Sequence, residues 1–422
     1  MAETTRVGAR GWRRSVSLAA LAQLLSVMGF SCLYSFLPLY IQTLGVGSRS
    51  EAAVWAGVML FASSFAVALC SPFWGAVADR HGAKLMVERA MFGGAVVIGA
   101  TSLVTRVEAL LVLFILQGCL TGINTAIATL VAGVAPRDRL GSALGACQTA
   151  VYVGSSVGPL LGGLLADSFS YRTSIRAGAS LLLAAGLVVF LGVAERRRAE
   201  VAASRPPLLA GLRPALSSRP LLLILALIFI GQFASQAVSP VLPLFVQELV
   251  GTTDRLATLV GLALAVAGVA AALGAVALGR AADRAGHRRV LGWAMLGGAL
   301  AAAPQAVVRS FAPLLVLRGV SGFFQGGLAT NTSAAIGLLV PPERRGAAFG
   351  VSGSAFSLGN ALGPLLGGLL AAAAGPRAVI GTSAAALGCG WLVVRALGSQ
   401  QFGGESDRRG ARAESPAGRG LE

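Results

Sequence analysis

The residues equipped for chemistry are few, and most sit where chemistry is not their expected task. One base, Arg318, lies deep in an apolar stretch, FAPLLVLRGVSGFF. Burying a guanidinium in a membrane costs roughly 2.5–3.5 kcal/mol on insertion scales. It must therefore face a cavity, a solute, a proton path or a set of carbonyls. The 17 carboxylates all fall in loops, tails or the ends of apolar stretches. A midplane carboxylate is the usual proton carrier and cation counter-charge. Without one, a binding site would select by shape and apolarity, for neutral or anionic solutes. Asp167 and Glu248, near the ends of their stretches, remain available to titrate.

Other chemistries are excluded by residue type and spacing. The two histidines, His81 and His287, sit in short charged turns, and the five cysteines, Cys32, Cys70, Cys119, Cys147 and Cys389, sit in apolar stretches. This pattern predicts no metal site and no disulfide framework. No nucleophile, base and orienting group converge, and no phosphate-binding loop with a Gly-Lys-Ser/Thr ending occurs. Neither an enzyme nor a nucleotide-driven pump is expected, and no cofactor or metal.

The polar residues that remain inside apolar stretches are candidates for lining a cavity. They are Tyr34, Asn124, Gln148, Tyr152, Gln232, Gln236, Gln325, Asn331 and Asn360, with the aromatic Phe356. Amides and aromatics can hold many amphipathic molecules; equally, they can hydrogen-bond one helix to the next.

The elements that must position these residues follow from composition. Hydrophobic residues make up 55% of the chain and charged residues 12%, about half the charge of a soluble domain. Repeated apolar runs of about 20 residues predict helices that cross a bilayer. We read twelve: 16–44, 52–78, 86–104, 109–134, 141–167, 173–194, 220–249, 256–281, 290–308, 312–339, 346–374 and 377–397. The basic N-terminus runs into the first of them, which is longer than a signal-peptide core.

The net charge of +17 does not predict nucleic-acid binding. With both termini cytoplasmic, 26 of the 34 basic residues fall on the cytoplasmic side, seven outside, and Arg318 within a span. Such a bias orients membrane proteins. Between spans six and seven, AERRRAEVAASRPPLLAGLRPALSSRP reads as a linker. The expected organisation is a first half over 1–194, a cytoplasmic linker over 195–219, a second half over 220–398 and a disordered tail over 399–422. The expected partners are lipid, a small-molecule substrate and protons, with no nucleic acid and no second subunit.

The two halves are copies. GAVADRHGAK (Gly75 to Lys84) returns as GRAADRAGHR (Gly279 to Arg288), 204 positions later. FLPLYIQ returns as VLPLFVQ, and GSSVGPLLGGLL as GNALGPLLGGLL, both 205 positions later. Six spans per copy make the repeats parallel, related by an axis along the membrane normal. In the turns, Gly82 and Gly286 permit a reversal that a Cβ would hinder. Asp79 and Asp283 can meet a base or a helix N-terminus. In spans five and eleven, Gly158, Pro159, Gly162 and Gly163, and Gly363, Pro364, Gly367 and Gly368, allow close helix approach and a bend.

These residues resemble the major facilitator superfamily. Its signature turn is Gly-x-x-x-Asp-Arg-x-Gly-x-Lys/Arg, matched by Gly75, Asp79, Arg80, Gly82 and Lys84, and by Gly279, Asp283, Arg284, Gly286 and Arg288. The Gly-Pro-x-x-Gly-Gly segment of span five is similar to that of its drug/proton antiporters. With CSPFWGAVADRHGAKLM, FLPLYIQTLGV and GGLLADSFSYR, the chain looks like the twelve-span multidrug-resistance branch. The resemblance implies an all-α membrane fold of two six-helix repeats. It implies export of amphipathic drugs by alternating access, with proton coupling, from the inner membrane.

The resemblance also implies roles. Asp79 would latch the halves near Gly346, with Arg80, Arg137 or Arg139 as further partners, and the bends of spans five and eleven would favour export. One departure stands out. Where the family often has Arg-x-x-Gln-Gly in span four, this chain has FILQG, with Phe114 at the arginine position; Arg318 occupies the matching place in the second half. A dedicated exporter of one metabolite or sugar, and a receptor or scaffold that has lost transport, remain the alternatives.

Overall fold

The structure is a computed structural model that describes residues 2–136, 139–193, 219–251, 253–340 and 345–396; the side chains at 2–10, 79, 345–347 and 396 fall outside that description. Every regular element among the described residues is a helix. The first half holds α1 (Ala2–Tyr34), α2 (Leu37–Thr43), α3 (Arg49–His81), α4 (Ala83–Thr101), α5 (Val107–Leu120), α6 (Ile123–Val134), α7 (Leu140–Ser168) and α8 (Tyr171–Gly192). The second holds α9 (Arg219–Val238), α10 (Leu242–Val250), α11 (Leu256–Ala285), α12 (His287–Ala302), α13 (Phe311–Leu339), α14 (Arg345–Ala374) and α15 (Pro376–Ala396). The pairs α1–α2, α5–α6 and α9–α10 are each one span in two pieces, so the segments make twelve spans.

Three spans expected to be unbroken are interrupted. The first stops at Ser35–Phe36 before Pro38, and the seventh at Ser239–Val241 before Pro243. A proline here has no N–H to continue the ladder and disturbs the preceding turn. The fourth breaks at Thr121–Gly122, where Gly122 takes φ 126°, a conformation open chiefly to glycine. By contrast, α7 and α14 run through Pro159 and Pro364 without interruption.

Among the described residues, ten helical segments are long and apolar enough to cross a bilayer by themselves. The other two spans, α4 and α12, begin with charge: Lys84, Glu88 and Arg89 in one, Arg288 and Arg289 in the other. They complete the twelve by packing against α8 and α15, and against α5, α6 and α13. Large apolar side chains stand exposed on the outer faces, Leu191 at 78% and Val96 at 72% among them. An apolar exterior of this extent suits lipid and not water.

The copies meet through two equivalent helix pairs, α3 with α14 and α7 with α11. The symmetry is visible in one contact. Gln42 and Gln247, 205 positions apart, each donate to the other's side-chain oxygen at 3.3 Å. Repeat mates that touch reciprocally must straddle the two-fold axis. They lie at the end of the molecule opposite the charged turns, called here the far end. An apolar cluster spanning both copies, from Phe36 and Leu39 to Phe245, Ala257 and Val379, fills that end.

Towards the turn end the partner helices give each other no such contact. A Cβ placed at Gly75, Gly141, Gly145, Gly279, Gly350 or Gly353 would meet nothing within 4 Å. The halves converge at the far end and part at the turn end.

Candidate functional site

The repeated glycine segments divide their labour. Gly158 and Gly162 face α1 of their own half, where a Cβ would come within 2.8 Å of Met28 Cα and 3.0 Å of Cys32 Cα. Gly163, the next residue, faces the other half: a Cβ there would collide with the Ala257 carbonyl. The second copy repeats this. Gly363 and Gly367 face α9, and Gly368 would collide with the Ala53 carbonyl of the first half. The carbonyls of Pro159 and Pro364 close the same contacts, lying where Cβ atoms of Gly261 and Gly57 would be. Two helix pairs thus touch backbone to backbone, as small residues allow in lipid.

At the far end of α7, Asp167 reaches into the second half. Its carboxylate accepts hydrogen bonds from the backbone N–H of Ala257 at 3.1 Å and of Thr258 at 2.6 Å. Those groups open α11 and have no intrahelical acceptor. A carboxylate there meets both free donors and the positive end of the helix dipole.

Gly82 and Gly286 have φ 95° and 88°, and each ends one helix and starts the next. Arg80, Asp283 and Arg284 are exposed. The expected Asp79 latch, and its partners at Gly346 and Arg137, lie outside the described residues. Lys84 has partners within its own half. Its Nζ donates to the Phe190 carbonyl at 2.9 Å and lies 3.6 Å from Glu88. Arg288, its repeat mate, donates to the Arg395 carbonyl at 3.3 Å. Each base therefore meets the C-terminal carbonyls of the sixth helix of its half, where cations are favoured.

A matching pair at the far end escaped the sequence reading. Arg172, at the start of α8, donates to the Val104 carbonyl at 3.2 Å, and Arg377, at the start of α15, donates to the Ala306 carbonyl at 3.0 Å. Arg377 also bonds Glu248 at 3.0 Å. In each half the third and sixth helices are clasped at both ends. The signal was present: these arginines are themselves 205 positions apart.

The polar candidates separate into three groups. Gln232 and Gln236 donate to Asn360 Oδ1 at 3.2 and 2.6 Å, and Asn360 Nδ2 donates to Ser64 of the first half at 3.4 Å. This amide network bridges the halves at mid-height. A second group joins helices within a half. Gln23 donates to Asn124 at 2.7 Å, Gln117 donates to the Tyr34 hydroxyl, and Tyr34 stacks near Phe30 and Phe114. Asn331 is 1% exposed, bonded to the Gly327 carbonyl and to His287. Phe114 is fully buried, so the space of the family's arginine is filled by an aromatic ring.

The third group borders open space. Gln232, Gln325, Phe349 and Phe356 line a cavity of about 280 Å³ among α9, α13 and α14. Phe356 is half exposed at its mouth. Gln148 is exposed and Tyr152 half-buried on α7. Arg318 lies elsewhere: it lines a second cavity, among α9, α12, α13 and α15 inside the second half. Among the described residues no group of three metal-ligating side chains occurs.

Two parallel six-helix copies, meeting through pseudo-equivalent pairs around a membrane-normal axis, define a membrane transporter of the secondary type. The chain belongs to the Major Facilitator Superfamily, whose profile matches residues 19–260 and 229–417. It is 33% identical over 403 residues to the multidrug resistance protein MdtG of Dickeya zeae, covering 94% of this chain and 98% of that one. It is likewise 33% identical over 372 residues to MdtG of Serratia proteamaculans, covering 87% and 90%.

Among solved structures, the fold matches a bacterial homologue of the human lysosomal transporter Spinster, inward-facing and unoccupied, with TM-score 0.74 at 14% identity over 93% of this chain and 97% of that one. It matches the nucleoside transporter NupG with TM-score 0.72 at 15% identity, over 90% and 99%. Transport, and not catalysis, is the family's activity.

Proposed function

We propose that this protein is a drug exporter of the inner membrane that works by alternating access and is driven by protons. The observation that carries the reading is the pair of backbone-tight contacts at Gly163 and Gly368. They lie at one end of two clasped, separately packed halves, which suits pivoting of rigid bodies. The distribution of basic residues favours the turn end as cytoplasmic, and with it both termini. On that orientation the cavity faces inward. The drug-resistance names of the relatives at 33% identity support amphipathic substrates, and the apolar and amide lining suits them.

A proton entering would supply the work. One charge crossing 100 mV is worth about 2.3 kcal/mol, against about 1.4 kcal/mol per tenfold gradient, so one proton holds roughly a forty-fold gradient. With Phe114 at the family's arginine position, the coupling site is expected elsewhere. The gating roles of Asp79, Arg80, Asp283 and Arg284, the halves at 1–194 and 220–398, and a monomeric state belong to the same proposal.

The test uses the purified chain in vesicles with an imposed pH gradient and a panel of amphipathic dyes. Dye movement against its gradient, collapsed by a protonophore, is the expected result. Flux of one solute alone would point to a dedicated exporter, and no flux of any solute at any pH gradient would overturn the transport reading.

A further inference from the structure

Arg318 is half-buried inside the second half, and among the described residues it has no counter-charge. It forms no hydrogen bond or ion pair among the described residues, and its Nε is buried without a partner. A buried charge is normally paired, because desolvation is costly. The cavity beside it, about 60 Å³, is lined by Ser235, Gln305, Ser321, Gln325 and Ser383 and by small and aliphatic residues; no carboxylate lines it.

Two hydroxyls around this cavity, those of Ser383 and Ser321, have no acceptor for their protons among the described residues. Ser383 is 3% exposed, and its Oγ has no hydrogen-bond partner. Gln305 Nε2 is oriented by the Ala301 and Leu317 carbonyls, at 3.0 and 3.3 Å, and donates to Ser321 Oγ at 2.7 Å. Ser321 is thus occupied as an acceptor, and its own proton is free to point into the cavity. Arg318, Ser321 and Gln325 stand at helical spacing on one face of α13. A guanidinium and two hydroxyl protons around one void call for an acceptor that carries negative charge.

We infer that this cavity is a binding site for a small monovalent anion, a halide or a carboxylate group. It lies within one half, so occupancy does not depend on how the halves pivot, and the inference does not rest on the transport proposal. A second cavity adjoins this one. Gly231, Gln325 and Leu328 line both this cavity and the one that opens beside Phe356. The Leu328 side chain fills the place a Cβ would take on Gly231, and it borders both cavities.

The test measures thermal unfolding of the purified full chain in detergent at constant ionic strength, with sodium gluconate replaced stepwise by sodium chloride or by sodium acetate. Wild-type protein should show a saturable rise in Tm of about 2–4 °C with at least one of the smaller anions. Chloride alone identifies a halide site, and acetate alone identifies a site for a solute's carboxylate; either supports the inference. Arg318→Gln and Ser383→Ala should each weaken half-saturation at least tenfold. Should Arg318→Gln not fold, Ser383→Ala and Ser321→Ala carry the test. No rise over gluconate in the wild type, or an unchanged anion response in Ser383→Ala and Ser321→Ala, overturns it.

Discussion

Asp167 and the backbone N–H of Thr258 form a 2.6 Å hydrogen bond from one half of the transporter to the other, and the second copy has no equivalent. The repeat mate of Asp167 is Ala372. At the corresponding helix start in the first half, Ser48 caps α3 from within, accepting from the Glu51 N–H at 3.0 Å. One helix N-terminus is thus capped across the interface and its mate by its own chain. The cross-interface bond exists only while the far end is closed.

Removing that carboxylate should loosen the far end. A helix cap is worth about 0.5–2 kcal/mol, which shifts a two-state equilibrium by about 2- to 30-fold. Spin labels at the exposed positions Ser168 and Asp254 read the distance directly. Asp167→Ala should broaden it towards longer separations; a distribution identical to wild type would show that the cap does not hold the closed end.

The glycine contacts predict a sharper effect. Gly163→Ala and Gly368→Ala each place a Cβ on a backbone carbonyl of the other half, and overpacking costs about 1–3 kcal/mol. Both should impair dye export while leaving membrane insertion intact. Gly158→Ala meets α1 of its own half instead, so its effect should appear as a lower Tm. Equal loss of Tm in all three would deny the distinction between faces.

The clasp residues should affect stability and not conformation. Arg288→Ala and Arg377→Ala each leave helix-end carbonyls without their cation, at about 0.3–1 kcal/mol. Thermal unfolding should occur at lower temperature, and the Ser168–Asp254 distance should not change. A changed distance would mean that the clasps are not confined to one half.

Restoring the family's arginine should fail. Phe114 is fully buried and packs 5.6 Å from the Tyr34 ring centroid. Phe114→Arg introduces an unpaired charge costing roughly 2.5–3.5 kcal/mol on insertion scales, and the variant should be recovered from membranes at a reduced level. Normal recovery with normal flux would show that the site readily admits a charge.

The amide network predicts selectivity. Asn360 accepts from both Gln232 and Gln236, so Asn360→Leu removes the acceptor of those half-buried donors. An unmet donor costs about 1–3 kcal/mol. Export of dyes with hydrogen-bonding groups should fall more than that of purely apolar dyes, measured as relative efflux rates in vesicles; equal losses would assign Asn360 to packing alone.

Much of the fold was legible because lipid leaves the backbone few choices. Span lengths, the duplication and the turn glycines at Gly82 and Gly286 follow from apolar run length, internal repetition and φ preference. The breaks at Ser35–Phe36 and Thr121–Gly122 were not seen, since a proline or glycine in an apolar run signals a kink, a packing site or a stop with equal force. Among site residues, Gln232, Gln236 and Asn360 were chosen one by one and prove to be one network. Asn331, chosen on the same grounds, is buried between helices; an amide's type does not reveal its facing.

What the sequence determined by itself is the class of object: a duplicated, lipid-embedded helical body with its positive charge gathered at one end. Hydropathy and repetition are properties of the chain read locally, so they need no folding to be visible. Only the tertiary structure decided which surfaces meet. It set Gly163 against the other half and Gly162 against its own, sent Lys84 to a carbonyl of its own half, and placed Arg318 inside one half and not between the two. Adjacent residues on a helix point about 100° apart, and which neighbour each direction finds depends on helices far away in sequence.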